Sequence, residues 1–556
     1  MGVSLKYFKR AAYLAALFIS VFTSAYGGCS KELQILSASG NIYGCSISAD
    51  GDGNVLTAWT ADTGSSVSAA FVKSSTNYGK DWQGTLCISG ARGVSGAPKT
   101  ACRNGVLHAL WAEKDALGTL QAWYSRNTGS GWSTPARLSS NGCLAGQVLI
   151  AAGESGSIHA AWLSAAGACA VKSLNSGLQW SDPVILSANA ASIESLAASG
   201  NCAYLCLLAG SPSSVYLTTC LTSWNSAVSR KVSENLSPEF ASIPVFGAGF
   251  TAWRQSGGAG EDVLASSGGT PVKLSSATGA VAALLPYFAQ DGAVNVFWQR
   301  NTGGASAFYS STTGNGSFSQ ENKEFEISGL VSSAFCTEGG LVYLLLLRAG
   351  SISFQLFDNI PPSAPKITSA THAAPSNSSN NCPSFSAVST DGQSAGAIAG
   401  YGFSLDNAPL SEAPLLINSV DGKANYPGLT PRSWYFHARA FDLVGNYGVT
   451  SHYKITIAGT QFLPSEEFFI FPNPVKSAFQ SFRFFSSDAA AAKIDIYDDS
   501  GNLRLAVKRQ AAQGVNIISD IDLSLLGNGV YLGRLSLTNP ASGVTASAVK
   551  KILVLR

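Results

Sequence analysis

The chain has 556 residues, a formal net charge of +2 and only 12% charged residues. This balance excludes a protein that binds nucleic acid through a basic excess, and there is no acidic tail. The length allows several domains, and the 57 glycines suit many short strands joined by tight turns. We therefore expect an all-β protein.

The first 28 residues, 1–28, predict an export signal. Basic residues precede an apolar run at 11–22, which is too short to span a bilayer, and small residues follow it. Within this segment we expect cleavage after Ala25 or Gly27, and no transmembrane segment in the mature chain. Lipidation of Cys29 is the alternative, although Tyr26 stands where a lipobox usually has Leu.

The 11 cysteines are scattered along the chain without a Cys-x-x-Cys pair or a metal-ligand spacing. Export permits disulfides, but the sequence indicates no particular pairing. We expect most of these cysteines to be small buried residues of strands.

A strand that ends in a large apolar residue recurs through residues 29–358. We call the position of this large apolar residue the recurring slot. It is occupied by Trp59, Trp111, Trp162, Leu207, Trp253, Trp298 and Leu346. The spacing, roughly 45 to 52 residues, is that of a β-propeller blade, and each period parses as four strands. The last period lacks its fourth strand, and the segment from Leu33 supplies one. We therefore predict a seven-bladed β-propeller closed by its two ends, which leaves no exposed sheet edge.

Three turns between third and fourth strands read Ser-x-Asn-x-Gly-x-x-Trp. Their key residues are Asn77, Gly79 and Trp82, then Asn127, Gly129 and Trp132, then Asn175, Gly177 and Trp180. Asn can accept backbone N–H groups of a turn, and Gly takes a positive φ at little cost. We expect each Trp to cover its turn against its own blade.

This pattern resembles the Asp-box of sialidase-like propellers with BNR repeats, with Asn where that family usually has Asp. In that family the box is structural and lies opposite the ligand face. The resemblance therefore implies that the three turns hold hairpins together and take no part in catalysis.

Two further modules are predicted after the propeller. Residues 359–460 begin with a Pro-rich hinge, and strand-like alternation around Trp434, Phe436 and Ala438 resembles a fibronectin type III or Ig-like sandwich. Residues 461–556 contain Phe-Pro-Asn-Pro, Tyr-Asp-x-x-Gly and Gly-Val-Tyr elements and resemble the C-terminal sorting domain of type IX secretion. That resemblance implies a small Ig-like domain, secretion machinery as a partner, and delivery outside the outer membrane. A second spacer sandwich is the alternative.

An active sialidase would need an arginine triad, a Tyr/Glu pair, an acidic Asp and usually Arg-Ile-Pro. The sequence has no Arg-Ile-Pro and no evident close pair of carboxylates, which a retaining glycosidase requires. We therefore predict no catalytic residues and no cofactor. A divergent sialidase-like glycoside hydrolase remains the alternative.

Candidate ligand contacts lie just beyond the recurring slot. Glu113, Arg300 and Arg348 stand two residues after it, and Arg254 stands one residue after it. Arg300 and Arg348 share a register on adjacent blades, so both could reach one carboxylate or sugar. The expected function is non-catalytic binding of a glycan or surface protein, and a merely solvated polar rim is the alternative.

Two features resemble metal sites but fail as such. The segment 50–54 has the Asp-x-Asp-x-Asn spacing of a calcium loop, yet Ala61 stands where the last ligand should be, so we predict a turn. His108 and His159 each precede the slot by three residues and lack partners at metal spacing, so we expect them packed between blades. The sequence predicts no metal site.

Overall fold

The structure is a computed structural model. It describes residues 29–37, 40–64, 67–90, 92–140, 142–144, 146–210, 214–234, 240–243, 250–257, 260–266, 270–276, 278–288, 293–301, 304–314, 317–358, 360–372, 377–378, 380–391, 397–430, 432–457, 462–541 and 543–556. The predicted export signal therefore lies outside the described residues.

Between Leu33 and Phe357 the described residues form seven antiparallel sheets, which we number in chain order. The chain starts with β1 (Leu33–Ser37). Sheet 1 contains β2 (Ile42–Ala49), β3 (Val55–Asp62), β4 (Ser68–Ser75) and β5 (Leu86–Cys87). Sheet 2 contains β6 (Val94–Arg103), β7 (Val106–Lys114), β8 (Leu120–Asn127) and β9 (Ala136–Arg137). Sheet 3 contains β10 (Val148–Ala152), β11 (Ile158–Ser164), β12 (Gly167–Ser173) and β13 (Val184–Ser187).

The remaining four sheets follow the same meander. Sheet 4 contains β14 (Ala190–Ser199), β15 (Cys202–Ala209), β16 (Ser214–Cys220) and β17 (Val228–Glu234). Sheet 5 contains β18 (Phe240–Ile243), β19 (Phe250–Gly257), β20 (Gly260–Ser266) and β21 (Val272–Lys273). Sheet 6 contains β22 (Ala280–Phe288), β23 (Val294–Asn301), β24 (Ala305–Gly314), β25 (Ser317–Phe318) and β26 (Asn322–Ser328). Sheet 7 contains β27 (Ser332–Glu338), β28 (Leu341–Arg348), β29 (Ser351–Phe357) and β1.

The first strands of successive sheets contact one another in a closed cycle. β2 contacts β6, β6 contacts β10, and the contacts continue through β14, β18, β22 and β27 back to β2. β1 pairs antiparallel with β29, and Leu33 lies opposite Phe354. β1 therefore lies in the sheet that contains Leu346, as the sequence predicts. The result is an all-β, propeller-like ring.

The recurring apolar slot lies on the second strand of each sheet. Trp59, Trp111, Trp162 and Trp298 are each at most 1% exposed. Because a neighbouring sheet covers each face, these strands are buried almost throughout, and β28 is a nearly continuous apolar run. Truncation of one such Trp to Ala would cost about 3–5 kcal/mol.

The first and third Asn turns share one hydrogen-bond scheme. Asn77 Oδ1 accepts the N–H of Asp81 at 2.9 Å, and the N–H of Gly79 donates to Ser75 Oγ at 3.0 Å. Asn175 Oδ1 accepts the N–H of Gln179 at 2.9 Å in the same way. The side chains therefore satisfy backbone donors that the tight turn would otherwise leave unpaired.

The second Asn turn differs. Asn127 Oδ1 accepts two N–H groups, from Gly129 at 2.8 Å and from Gly131 at 3.2 Å. Both glycines have a positive φ, 97° and 113°. Trp132 packs on the core shared by sheets 1 and 2.

The Trp of the first and third turns packs on the preceding sheet, which corrects the expectation that it packs on its own. Trp82 meets Phe354 of sheet 7 edge-on at 5.2 Å, and Trp180 meets Tyr124 of sheet 2 edge-on at 4.9 Å. A Cβ on Gly79 would lie 2.2 Å from Phe354 Cε1. These turns therefore fasten each sheet to the one before it.

His108 and His159, which each precede the recurring slot by three residues, are buried in the ring. His108 Nδ1 is 2.8 Å from Tyr124 Oη, and His159 meets Trp224 of sheet 4 edge-on at 5.6 Å. Burial lowers the pKa of each to about 3, with smaller contributions from Arg126 and Lys172. Both rings are therefore neutral in the folded protein at neutral pH.

The chain after the ring forms four small sheets. The first two, within Lys366–Ile457, contain β30 (Lys366–Thr368), β31 (Asn377–Ser378), β32 (Ser384–Val388), β33 (Ile398–Asp406), β34 (Lys423–Asn425), β35 (Ser433–Asp442) and β36 (Ser451–Ile457). The last two contain β37 (Phe469–Phe471), β38 (Phe479–Ser486), β39 (Ala490–Tyr497), β40 (Leu503–Ala511), β41 (Gly514–Asp522), β42 (Gly529–Thr538) and β43 (Thr545–Val554).

Each pair of small sheets encloses its own apolar core. Phe385 stacks on Phe436 at 4.3 Å in the middle module, and Phe482 is fully buried in the last one. Leu443 and Val444 of the middle module pack into the core of sheets 1 and 7, which joins that module to the ring. The described helices are two 3₁₀ turns, Trp224–Ser226 and Ser465–Glu467, and none of the described helices could span a membrane.

All 11 cysteines are free thiols. Cys87 and Cys382 are exposed, whereas Cys29, Cys45 and Cys143 are buried. Burial raises the pKa of each of these three buried thiols to about 12, so they stay protonated.

The glycine of the first Asn turn gives a test of how the sheets are fastened. Gly79→Ala meets both a positive φ of 79° and the Phe354 ring, so we expect a loss of about 3 kcal/mol in the free energy of unfolding. Gly129→Ala is the matched control, because its φ is 97° but nothing lies within 4 Å of the added Cβ, and about 1 kcal/mol is expected. Denaturant unfolding measures both, and equal losses would contradict the proposed fastening.

The buried histidines predict acid sensitivity. Unfolded His binds a proton near pH 6.5, whereas the folded ring does so only near pH 3, so stability is lost as pH falls through this window. His159→Phe removes one such group, and we expect the slope of unfolding free energy to fall by about 1.4 kcal/mol per pH unit between these values. Urea unfolding at several pH values measures the slope, and an unchanged slope would contradict the burial argument.

Candidate functional site

The predicted ligand residues lie where second strands end and where the connections into first strands pass. Glu113, Arg254, Arg300 and Arg348 belong to β7, β19, β23 and β28, respectively. We call this end of the ring, defined by these four residues, the loop face. Side chains here are close enough to the connections to hold them in place or to meet a ligand.

Glu113 is 4% exposed and is held by its own sheet. Its Oε2 accepts Trp111 Nε1 at 3.0 Å and the N–H of Gly90 at 3.1 Å. Gly90 lies in the connection that leads into β6. The carboxylate therefore ties that connection to the second strand.

Arg300 is fully buried. Its Nη1 donates to the carbonyl of Gly279 at 2.6 Å and to that of Glu261 at 2.9 Å. Gly279 lies in the connection into β22, so Arg300 holds that connection as Glu113 holds the one into β6. It also joins sheet 6 to sheet 5.

Arg348 is partly exposed and forms an ion pair with Glu32, in which Nη2 lies 3.0 Å from Oε2. Glu32 directly precedes β1, the strand that closes the ring. An ion pair with this exposure contributes on the order of 1 kcal/mol or less to stability. Its main effect would be to hold the Arg348 side chain in position.

Arg254 contacts both a backbone carbonyl and a carboxylate. Its side chain is 22% exposed, and Nη1 lies 2.6 Å from the carbonyl of Val281 and 3.4 Å from Glu261 Oε2. Glu261 also accepts the N–H of Val281 at 2.7 Å. The structure thus brings Arg254 and Arg300 together around Glu261, while Arg348 and Glu113 have other partners.

Glu194 is a further carboxylate that interacts electrostatically with Arg254, and it was not among the residues predicted from the sequence. Glu194 lies in a β-bulge of β14, where the pairing shifts between Ile193 and Ser195. Burial raises its pKa, and the charge of Arg254 lowers it in part. Bulges often re-aim a side chain beside a functional site. Ser192 Oγ donates to this carboxylate.

We call Glu194, Arg254 and Glu261 the Arg254 cluster. It is partly exposed and contains one guanidinium paired with Glu261, together with the Glu194 carboxylate whose pKa the charge of Arg254 lowers in part. Such a set presents donors and acceptors side by side, which matches hydroxyl groups that both donate and accept. In the sequence, Glu194 stands out only as the one carboxylate in a strand of otherwise small or apolar residues.

The Asp-rich segment 50–54 is a turn, as the sequence predicts. Asp50 Oδ1 accepts the N–H groups of Asp52 at 3.0 Å and Asn54 at 3.1 Å. Its Oδ2 accepts the N–H of Gly105 at 3.0 Å, which links sheet 1 to sheet 2. The carboxylate is thus committed to these backbone donors and to Asn54 Nδ2, which donates to Oδ2 at 2.7 Å.

A family model described as "Secretion system C-terminal sorting domain" matches residues 469–554. This match confirms the prediction for the end of the chain. No curated protein matches the chain.

Several solved structures are similar to the chain at low identity. An ulvan lyase, bound to -[GlcA(1-4)Rha3S]-, is 10% identical with a TM-score of 0.38, and the match covers 58% of this chain and 95% of the lyase. PorZ of the type IX secretion system of Porphyromonas gingivalis is 11% identical with a TM-score of 0.27, and the match covers 92% of this chain and 70% of PorZ. A fucose-recognising lectin of Aleuria aurantia is 12% identical with a TM-score of 0.29, and the match covers 46% of this chain and 89% of the lectin. Because these TM-scores are low, the fold description rests on the strand pairing itself.

The sorting domain indicates where this protein is delivered and what it interacts with. A chain with this domain is exported to the cell surface or secreted, and it interacts with the secretion machinery through the domain.

Proposed function

We propose that this exported protein is a non-catalytic binding protein whose ring is a seven-bladed β-propeller. The cyclic contacts of the first strands and the pairing of β1 with β29 support the blade count. The proposed domains are the propeller at 29–358, a fibronectin type III or Ig-like spacer at 359–460, and the Ig-like sorting domain at 461–556.

The proposed kinship with sialidase-like propellers rests on the Asn turns. In two of them the Asn oxygen and the Ser hydroxyl hold backbone N–H groups in one shared scheme. Each turn joins the third and fourth strands, at the end of the sheet away from the loop face. A ligand site on the loop face is therefore compatible with the structural role that the resemblance implies for these turns.

The proposed ligand is a glycan, or a surface protein, bound at the Arg254 cluster. The observation that carries this proposal is a partly exposed guanidinium that pairs with Glu261 and interacts electrostatically with Glu194 in a bulge. Because Glu261 already neutralises Arg254, neutral sugar hydroxyls suit the site better than an added carboxylate. Arg348 is proposed as an outer contact, and the buried Arg300 and Glu113 as residues that hold the connections.

A glycoside hydrolase is the second candidate, and Glu194 favours it. A carboxyl group whose pKa is raised by burial can act as a general acid when a second carboxylate lies nearby. Glu261 would be that second carboxylate, since both groups act on Arg254.

A glycan array with the full-length chain tests the binding proposal. Arg254→Ala should weaken binding at least about tenfold, because it removes the donor at the centre of the cluster. Arg230→Ala is the matched control, since Arg230 is an exposed arginine on the outermost strand of sheet 4, and it should bind as wild type does. Equal binding by Arg254→Ala and wild type would remove the proposed site.

Turnover of fluorogenic glycosides by the same proteins separates the two candidates. Binding without turnover is the expected result. Turnover by wild type that falls about 100-fold or more in Glu194→Gln would instead establish the hydrolase.

A further inference from the structure

Three aspartates meet where the ring joins the middle module. Asp358 directly follows β29, Asp391 follows β32, and Asp442 ends β35. One carboxylate oxygen from each lies within 4.8 Å of the other two. All three residues are at least nine-tenths buried, with exposures of 4%, 4% and 0%. We call them the junction triad.

Two oxygens of the junction triad lack any hydrogen-bond partner. These are Oδ2 of Asp391 and Oδ2 of Asp442, both shielded from solvent. Oδ1 of Asp442 is fully used, because it accepts the N–H groups of Val444, Gly445 and Asn446 at 2.7–2.9 Å. A buried carboxylate oxygen left unpaired is costly, so the vacant oxygens point to a missing positive partner.

The described ion pairs supply no such partner. None of the ion pairs between described residues includes Asp358, Asp391 or Asp442. Without a cation, three carboxyl groups with oxygens within 4.8 Å of one another would share the interior with no positive partner among the described ion pairs.

We propose that the junction triad binds one Ca²⁺ ion, which fixes the middle module to the ring. Ca²⁺ binds oxygen ligands at about 2.4 Å, so two ligands of one ion can be up to about 5 Å apart, and the triad meets this limit. Carboxylate-only donors exclude the usual zinc set of nitrogen and sulfur. Mg²⁺ usually keeps several waters and takes one or two carboxylates, which suits a buried set of three less well.

The position of the triad explains what the ion would do. Asp358 lies at the end of the ring, and the other two aspartates lie in the middle module. Protein contacts already bridge the junction, because Asn446 Nδ2 donates to the carbonyl of Asp358 at 2.9 Å. A bound ion would add ligand bonds across the same junction and slow its opening.

Thermal unfolding of the full-length chain tests the proposal at pH 7.5, in 1 mM CaCl₂ or in EDTA. Wild type should unfold at least about 4 °C higher in calcium. Asp391→Asn should lose this shift and bind ⁴⁵Ca²⁺ at least about tenfold more weakly in equilibrium dialysis. The difference in unfolding temperature between the variant and wild type should therefore be larger in calcium than in EDTA.

The dependence of this stability difference on calcium distinguishes an ion site from an aspartate that is only structural. Asp52→Asn is the matched control, an exposed aspartate in the 50–54 turn that also has the spacing of a calcium loop, and it should keep the full calcium shift. An unchanged wild-type transition in calcium would overturn the proposal. A shift that persists in Asp391→Asn, or that disappears in Asp52→Asn, would overturn it as well. If Mg²⁺ gave the same shift as Ca²⁺ at equal concentration, the choice of ion would be wrong.

Discussion

The ring depends on one strand pairing between its two ends, β1 with β29. The second strand β28 is apolar on both faces, so it is shielded from water only when sheets lie on both sides of it. Without β1, the edge of β29 would present unpaired N–H and C=O groups, and sheet 7 would offer an exposed template for another chain. The ion pair between Arg348 and Glu32 strengthens this same seam. Closure is therefore what allows each remaining sheet to be buried by its neighbours.

Much of the ring could be predicted from the sequence because burial repeats at a fixed interval. Trp59, Trp111 and Trp162 occupy one slot, and a slot of that size must lie between sheets. The Asn turns were also recognisable, since turn chemistry is local. The residue on which each turn Trp packs could not be recognised from the sequence, because Trp82 and Trp180 pack on residues far away in the chain.

The candidate site was predicted less completely, for physical reasons. Register placed Arg300 at the correct end of its strand, but its burial depends on how the connection through Gly279 folds over it. Glu194 depends on a bulge, and a bulge breaks the alternation on which strand patterns rely. The three junction aspartates come from separate segments, so no local spacing reveals them.

The free cysteines have a consequence for chemistry outside the cell. Thiolates, rather than thiols, attack oxidants and disulfides, and burial keeps thiols such as Cys45 protonated and out of reach. Cys87 on β5 and Cys382 in the middle module are the two exposed sulfurs. Alkylating reagents added to intact cells would therefore reach Cys87 on the ring and Cys382 beyond it before the half-buried Cys202 and Cys336. A fluorophore pair at Cys87 and Cys382 would report the distance between the ring and the middle module without any engineered residue.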